Sequence, residues 1–345
     1  MLSAKGHRNF TASGDVEAEK LLERVLCEMQ EKLSGTGLSV LLGGSYGRGD
    51  GGVRMDRENG ILYNDLDFFV FAREKNDHAD ALLKEISKKY EHELKVDVDF
   101  SRTMTIKDIQ ANAPRLMMQE LKRGYFTVCG EDLLEKYLPE IPPELLPFSE
   151  ACRLFLNRGM GLLLAGEKIA ENSQDADFIL RNLYKAIIGT GDAILISHGT
   201  YRWKITERLK RFQHTRLPDS WKELYHEAVN FKCAPHREMK PDMIQFWHTV
   251  RDFYRAGMLH CAEAENDSVL LAHLARKSRQ NGEKSLFNYI KYCIKSRSLA
   301  LNNFEKYSLP AVTWILPELY TELEKLPAPE SLKQSKLYQH WLIFN

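Results

Sequence analysis

Two short stretches of this chain carry residue types that can do chemistry together. Leu41-Leu42-Gly43-Gly44-Ser45-Tyr46-Gly47-Arg48-Gly49 is an apolar run that ends in a small-residue turn holding a serine. Asn64-Asp65-Leu66-Asp67-Phe68-Phe69-Val70 sets two carboxylates two residues apart in a second apolar run. Alternation along a strand sends positions i and i+2 to one face, so Asp65 and Asp67 point together while Leu66 and Phe68 point into a core. Two carboxylates on one face repel unless cationic charge lies between them. Mg²⁺ (or Mn²⁺) meets that need through oxygen ligands and bridges carboxylates to substrate phosphates. The glycines let the N–H groups of Gly44 to Gly47 approach an anion closely, and Ser45 adds a hydroxyl donor. A phosphate cradle beside metal-binding carboxylates is the equipment for moving a phosphoryl or nucleotidyl group.

A third apolar run, Val96-Asp97-Val98-Asp99-Phe100, again alternates carboxylates with core-forming side chains. An apolar strand, Gly-Ser, a spacer, Asp-x-Asp in an apolar strand and a later acidic strand together resemble the polymerase-beta-like nucleotidyltransferase superfamily. The superfamily uses one carboxylate on the third strand, and here Asp97 is favoured, with Asp99 as neighbour or substitute. The resemblance implies two divalent ions held by Asp65 and Asp67. Asp97 would complete the ion next to the acceptor and help to remove its proton. It implies ATP or another nucleoside triphosphate as co-substrate, with its β- and γ-phosphates gripped by Gly44, Ser45 and Gly47 and assisted by Arg48. The expected reaction moves a nucleoside monophosphate, AMP in the first instance, to an acceptor hydroxyl. One departure is the long spacer from Ser45 to Asp65. Asn59-Gly60 within it is a hairpin signal, so an inserted hairpin or flap is expected there. The bland alternative is a glycine-rich turn between strands with surface aspartates, which the poor strand propensity of aspartate disfavours.

The elements that must position these residues follow from periodicity. Asp15 to Leu33 has apolar residues at helical spacing and is stopped by Gly35-Thr36-Gly37. Leu38–Leu42, Ile61–Phe71 and Leu94–Ser101 read as strands, Asn76–Tyr90 as a helix, Ile106–Gly124 as mainly helical and Tyr125–Cys129 as an edge strand. The proline-dense run Pro139 to Pro147 marks a boundary. After it the pattern is helical, with segments near 150–170, 176–198, 203–213, 218–231, 240–262, 266–280 and 283–300. The expected class is therefore α+β: a small mixed-sheet domain with flanking helices over 1–138, a linker at 139–149, an all-α bundle over 150–308, and a C-terminal extension over 309–345 packed on the body by Trp314, Trp341 and Phe344.

A helical bundle behind such a sheet domain resembles the small-molecule members of the superfamily, the aminoglycoside nucleotidyltransferases. Acidic residues, Arg-Asn, a helix, a Gly turn and a Lys opening another helix are found in streptomycin/spectinomycin-type enzymes. The matching run here is Ser173-Gln174-Asp175-Ala176-Asp177, Arg181-Asn182 and Gly199 to Lys204. The likeness implies that Arg181 and Lys204 reach the triphosphate, with Lys185 a further cation one turn on, and that Asp175 or Asp177 lies near the acceptor. Helix capping and dipole complementation account for the two aspartates equally well. Arg255 to His260 matches an R-x-x-x-x-H spacing of helical ribonucleases, a pattern short enough to arise by chance.

Composition narrows the acceptor. Lys+Arg and Asp+Glu are equal at 48 each, so the chain has no electrostatic footprint for nucleic acid. A small molecule is the expected acceptor. The alternatives are a module that nucleotidylates a protein or an RNA, or a non-catalytic nucleotide- or partner-binding relative. The 6 cysteines show no C-x-x-C pair, and no apolar leader or membrane-length stretch is visible, which together read as cytoplasmic with no membrane partner.

Overall fold

The computed structural model describes residues 3–5, 9–56, 59–74, 79–267, 269–270, 273, 286–297 and 303–344. The chain divides into two compact units. The first comprises Met1–Pro142 with Arg202–Glu207 and Val229–His236; the second comprises Pro143–Tyr201, Arg208–Ala228 and Arg237–Asn345. The class is mixed α+β, with every described strand in the first unit.

The first unit holds β1 (Ser3–Lys5), β2 (Ser39–Leu42), β3 (Val53–Asp56), β4 (Asn59–Leu62), β5 (Leu66–Phe71), β6 (Val98–Phe100) and β7 (Tyr125–Cys129). Five of these form one sheet in the order β1-β7-β2-β5-β6, in which β5 and β6 are parallel and the other pairs antiparallel. Its helices are α1 (Val16–Leu33), α2 (Gly44–Gly47), α3 (Asp80–Leu94), α4 (Ile106–Ala111), α5 (Leu116–Arg123) and α6 (Leu133–Tyr137). Leu22, Val25, Leu26 and Met29 of α1 and Leu83, Ile86 and Tyr90 of α3 share a core with Val40, Leu66, Phe68, Val70 and Val98 of one sheet face. Leu41, Phe71 and Tyr125 belong to a separate core with Ile109, Met118, Leu121 and Leu134 of α4, α5 and α6. The sheet is thus covered by helices on both sides, and alternation along β5 decides which side chains face which core.

Three expectations are corrected here. Tyr125–Cys129 is not an edge strand, because β1 pairs with it on the side away from β2. The inserted hairpin exists as β3–β4, but Asp56 pairs with Asn59, so Asn59-Gly60 lies in the second strand, while residues 57–58 lie outside the described residues. Gly60 is there for space: a Cβ would meet Val53 and Asp15 within 3 Å. Finally, residues 202–207 and 229–236, read as part of the bundle, belong to the first unit, because Arg123 lies over the Trp203 ring and Phe231 packs edge-on against Tyr63. The expected helix over 266–280 falls mostly outside the described residues, as does the start of the one expected from Asn76.

All described elements of the second unit are helical. The long helices α7 (Phe148–Ala170) and α8 (Ala176–Ser197) precede α9 (Ile205–Gln213), α10 (Asp219–Cys233) and α11 (Met243–Ala262). α9 and α10 each carry residues of both units. Small residues let bulky neighbours in: Gly159 lies beneath Tyr254 and Gly166 beneath Trp247. Tyr254 donates to the Phe155 carbonyl (2.6 Å) and Trp247 Nε1 to that of Leu162 (2.8 Å), so both polar tips are satisfied. Asp192 and Arg208 form a buried ion pair, with Tyr225 donating to Asp192 (2.8 Å) and Arg208 donating to Tyr201 (3.0 Å). No described helix is long and apolar enough to cross a membrane.

Candidate carboxylate and phosphate site

The parallel pairing of β5 and β6 sets the carboxylates side by side. Asp67 registers with Asp99, and the Leu66 N–H donates to the Asp97 carbonyl (2.8 Å), so Asp65 and Asp97 flank the start of the same ladder. Leu66, Phe68 and Val98 are buried on the core side, and Phe68 stacks on Phe100 with ring centroids 4.8 Å apart. The four aspartates therefore take the opposite face, Asp65 and Asp67 half-buried, Asp97 and Asp99 exposed. Between the two candidates for the third carboxylate, Asp99 is the one beside Asp67, while Asp97 sits one pleat earlier. Desolvation, with Asp97, Asp65 and Glu91 nearby, holds the Asp99 carboxyl above the usual aspartate range. All the donors on this face are oxygens, as a hard divalent cation requires. Among the described residues no three His, Cys, Asp or Glu side chains are already gathered around one point.

The Gly-Ser segment folds as the single turn α2, joined to β5 by the Gly43 N–H, which donates to the Asp67 carbonyl (2.8 Å). Gly44 has φ +60°, and a Cβ there would lie 2.0 Å from Asp67 Oδ2, so the backbone of the turn lies directly against that carboxylate. Gly47 plays a different part from the one expected. It is buried, its N–H donates to the Gly43 carbonyl (2.7 Å), and a Cβ would lie 2.5 Å from the Leu42 carbonyl oxygen; it closes the turn onto β2. Tyr46 is fully buried, and its hydroxyl donates to Gly52 O (2.9 Å) and accepts from Tyr63 N–H (3.0 Å). Asn64 Oδ1 accepts from Gly52 N–H (2.7 Å). These bonds tie both ends of the hairpin insert to α2 and so fix the approach to Asp65.

The cation at this turn is Lys232, whose Nζ donates to Ser45 Oγ (2.9 Å). It is held there by its neighbours. Phe231 is buried against Tyr63 (5.8 Å, edge-on), and a Cβ on Gly52 would lie 2.9 Å from the Lys232 carbonyl oxygen, so the backbones meet closely. Sequence reasoning missed this residue, because a lysine in the last turn of a helix is ordinary dipole complementation. Lys204, the cation expected, is exposed. Arg48 lies between Glu120 (3.5 Å) and Asp50 (3.9 Å), so its charge is engaged by carboxylates.

The remaining expected residues lie in the second unit. Asp175 is the N-cap of α8, accepting from the Phe178 N–H (3.2 Å), and Asp177 is paired with Arg237 (Nε 2.8 Å). Capping and ion pairing thus account for both. Arg181 and Lys185 lie one turn apart on α8, each partly buried. Arg255 is paired with Asp267 (2.7 Å) and His260 with His198, so the two ends of the R-x-x-x-x-H spacing go to different partners. No family model, curated protein or solved structure matches this chain.

Proposed function

We propose that the protein is a metal-dependent nucleotidyltransferase that moves a nucleoside monophosphate, AMP in the first instance, from a nucleoside triphosphate to a hydroxyl of a small-molecule acceptor. The observation that carries this reading is the apposition of the Asp67–Asp99 register pair, the Gly44–Ser45 turn lying against Asp67, and the Lys232 ammonium on Ser45. Together these support the reading, because phosphoryl chemistry needs donors for the phosphates beside carboxylates for a cation.

Asp65, Asp67 and Asp99, with Asp97 beside them, fit an oxygen-seeking divalent ion such as Mg²⁺ or Mn²⁺. Such ions supply charge neutralisation at the attacking and leaving oxygens of an in-line displacement. The protein's own groups do the rest. Lys232 and Ser45 bind the β- and γ-phosphates and hold the pyrophosphate as a leaving group. Asp99 is the carboxylate to take the proton from the acceptor hydroxyl as its oxygen bonds to the α-phosphorus and the bond to pyrophosphate breaks.

The test is pyrophosphate release and mass spectrometry of products from protein incubated with nucleoside triphosphates, Mg²⁺ and a metabolite extract. Metal-dependent adduct formation is expected, lost by at least about a hundredfold in Asp67→Asn. No adduct and no triphosphate binding, or full activity in that variant, overturns the reading.

A further inference from the structure

The helical unit holds a second cluster of chemically capable side chains that the proposed reaction does not use. His198 caps the C-terminal end of α8, and His260 sits in the last turn of α11. Their Nε2 atoms are 2.8 Å apart, with the rings inclined by 70° and centroids 5.0 Å apart. Each ring is carried on the end of a long helix, so the convergence is built by the fold rather than by a loop. The Trp221 indole stands edge-on to His260 at 6.4 Å and to Phe253 at 5.2 Å, which backs the site with an aromatic wall.

A neutral imidazole has one ring nitrogen with a hydrogen and one with a lone pair. In the metal-free pair one Nε2–H donates to the other Nε2. If both rings take the Nδ1–H tautomer, each Nε2 has a lone pair free for a metal ion. Two imidazole nitrogens at about 2.0–2.1 Å from one tetrahedral ion are roughly 3.3 Å apart, so the hydrogen-bonded pair becomes a ligand pair when the rings part by about half an ångström and turn their lone pairs toward the ion. Partial desolvation of both rings, with His198 adding to the effect on His260, lowers their proton affinity below the ordinary histidine range. Glu263, just beyond the end of α11, is the neighbouring anion that acts on His260.

We propose that His198 and His260 form a binding site for a divalent transition-metal ion of the copper, nickel and zinc type, held by both Nε2 atoms and completed by water. Imidazole selects these ions over Mg²⁺, which prefers oxygen. The site is therefore chemically distinct from the aspartate face, and an ion here would cross-link the ends of α8 and α11. Nothing in it depends on the nucleotidyltransferase reading.

The experiment uses full-length chain without an affinity tag, stripped with chelator and held in excess Mg²⁺, so that the aspartates are not the ligands being measured. Titration calorimetry with ZnCl₂ and with CuCl₂ should give one ion per chain, copper binding more tightly than zinc. The copper complex should show nitrogen hyperfine coupling from two imidazoles by electron paramagnetic resonance. His198→Gln and His260→Gln, both at exposed positions, should each abolish the calorimetric site while circular dichroism keeps the helical signal of the parent. The proposal is overturned if the parent binds neither ion, if copper shows no two-imidazole coupling, or if either variant binds with the parent's stoichiometry and affinity.

Discussion

Gly44 is the residue on which the candidate site turns, because it brings backbone and carboxylate into contact. Any side chain there meets two penalties: a left-handed backbone and a Cβ 2.0 Å from Asp67 Oδ2. Gly44→Ala should lose about 1–2 kcal/mol of stability from backbone strain alone, and more where the carboxylate is displaced. Chemical denaturation measures the loss, and an unchanged midpoint would mean that the turn relaxes freely. Asp99 makes a prediction with a sign. Its folded-state carboxyl binds a proton more tightly than the unfolded chain does. The stability this contributes is complete below the ordinary aspartate range and is lost as pH rises through the raised value. Asp99→Asn carries no charge at any pH and avoids that loss. In excess chelator the variant should be more stable than the parent at neutral pH, the difference closing as the pH falls toward the usual carboxylate range. Midpoints of thermal unfolding across pH provide the comparison; a less stable variant at neutral pH contradicts the account of crowded carboxylates.

At the level of elements, the decisive segment is the end of α10. Lys232→Met keeps an unbranched apolar stem and removes the ammonium. Triphosphate affinity should fall about tenfold to a hundredfold, as for loss of a charge-assisted contact of about 1.5–3 kcal/mol. Calorimetry with a non-hydrolysable nucleotide decides it, and an unaltered affinity would reduce Lys232 to a packing role. The strands β2, β5 and β6 were legible from alternation because each has one face in a core, and Asp65, Asp67, Asp97 and Asp99 were legible as one acidic face for the same reason. What local pattern could not supply was pairing. That Asp67 registers with Asp99 depends on a parallel contact across the α3 connection, and β7 read as an edge because the short β1 that covers it has no periodic signal. Lys232 was hidden by distance, 187 residues from the serine that it meets. Asp175 and Asp177 looked equally like site residues and helix-end residues, and their partners, Phe178 N–H and Arg237, are what separates the two.

For the whole molecule, the helical unit rests partly on a buried charge. Arg208 and Asp192 are 3% and 4% exposed, too enclosed for water to replace either partner. Arg208→Met should cost about 3–5 kcal/mol, because it leaves the buried Asp192 without its counter-charge, whereas the double change with Asp192→Leu should recover most of that loss. Urea titration followed by far-ultraviolet circular dichroism tests both, and a single variant as stable as the double one would show that Asp192 finds another partner. The long reach from Ser45 to Lys232 also has a consequence for the chain during its synthesis. The strands that assemble the aspartate face have all been made once Cys129 is complete, but Lys232 is added roughly a hundred residues later, about 5–20 s at ordinary elongation rates. During that interval the nascent sheet presents clustered negative charge with no lysine beside the serine. On the proposed reading, a triphosphate, itself an anion, has little to hold it there until the helix bearing Lys232 has been made.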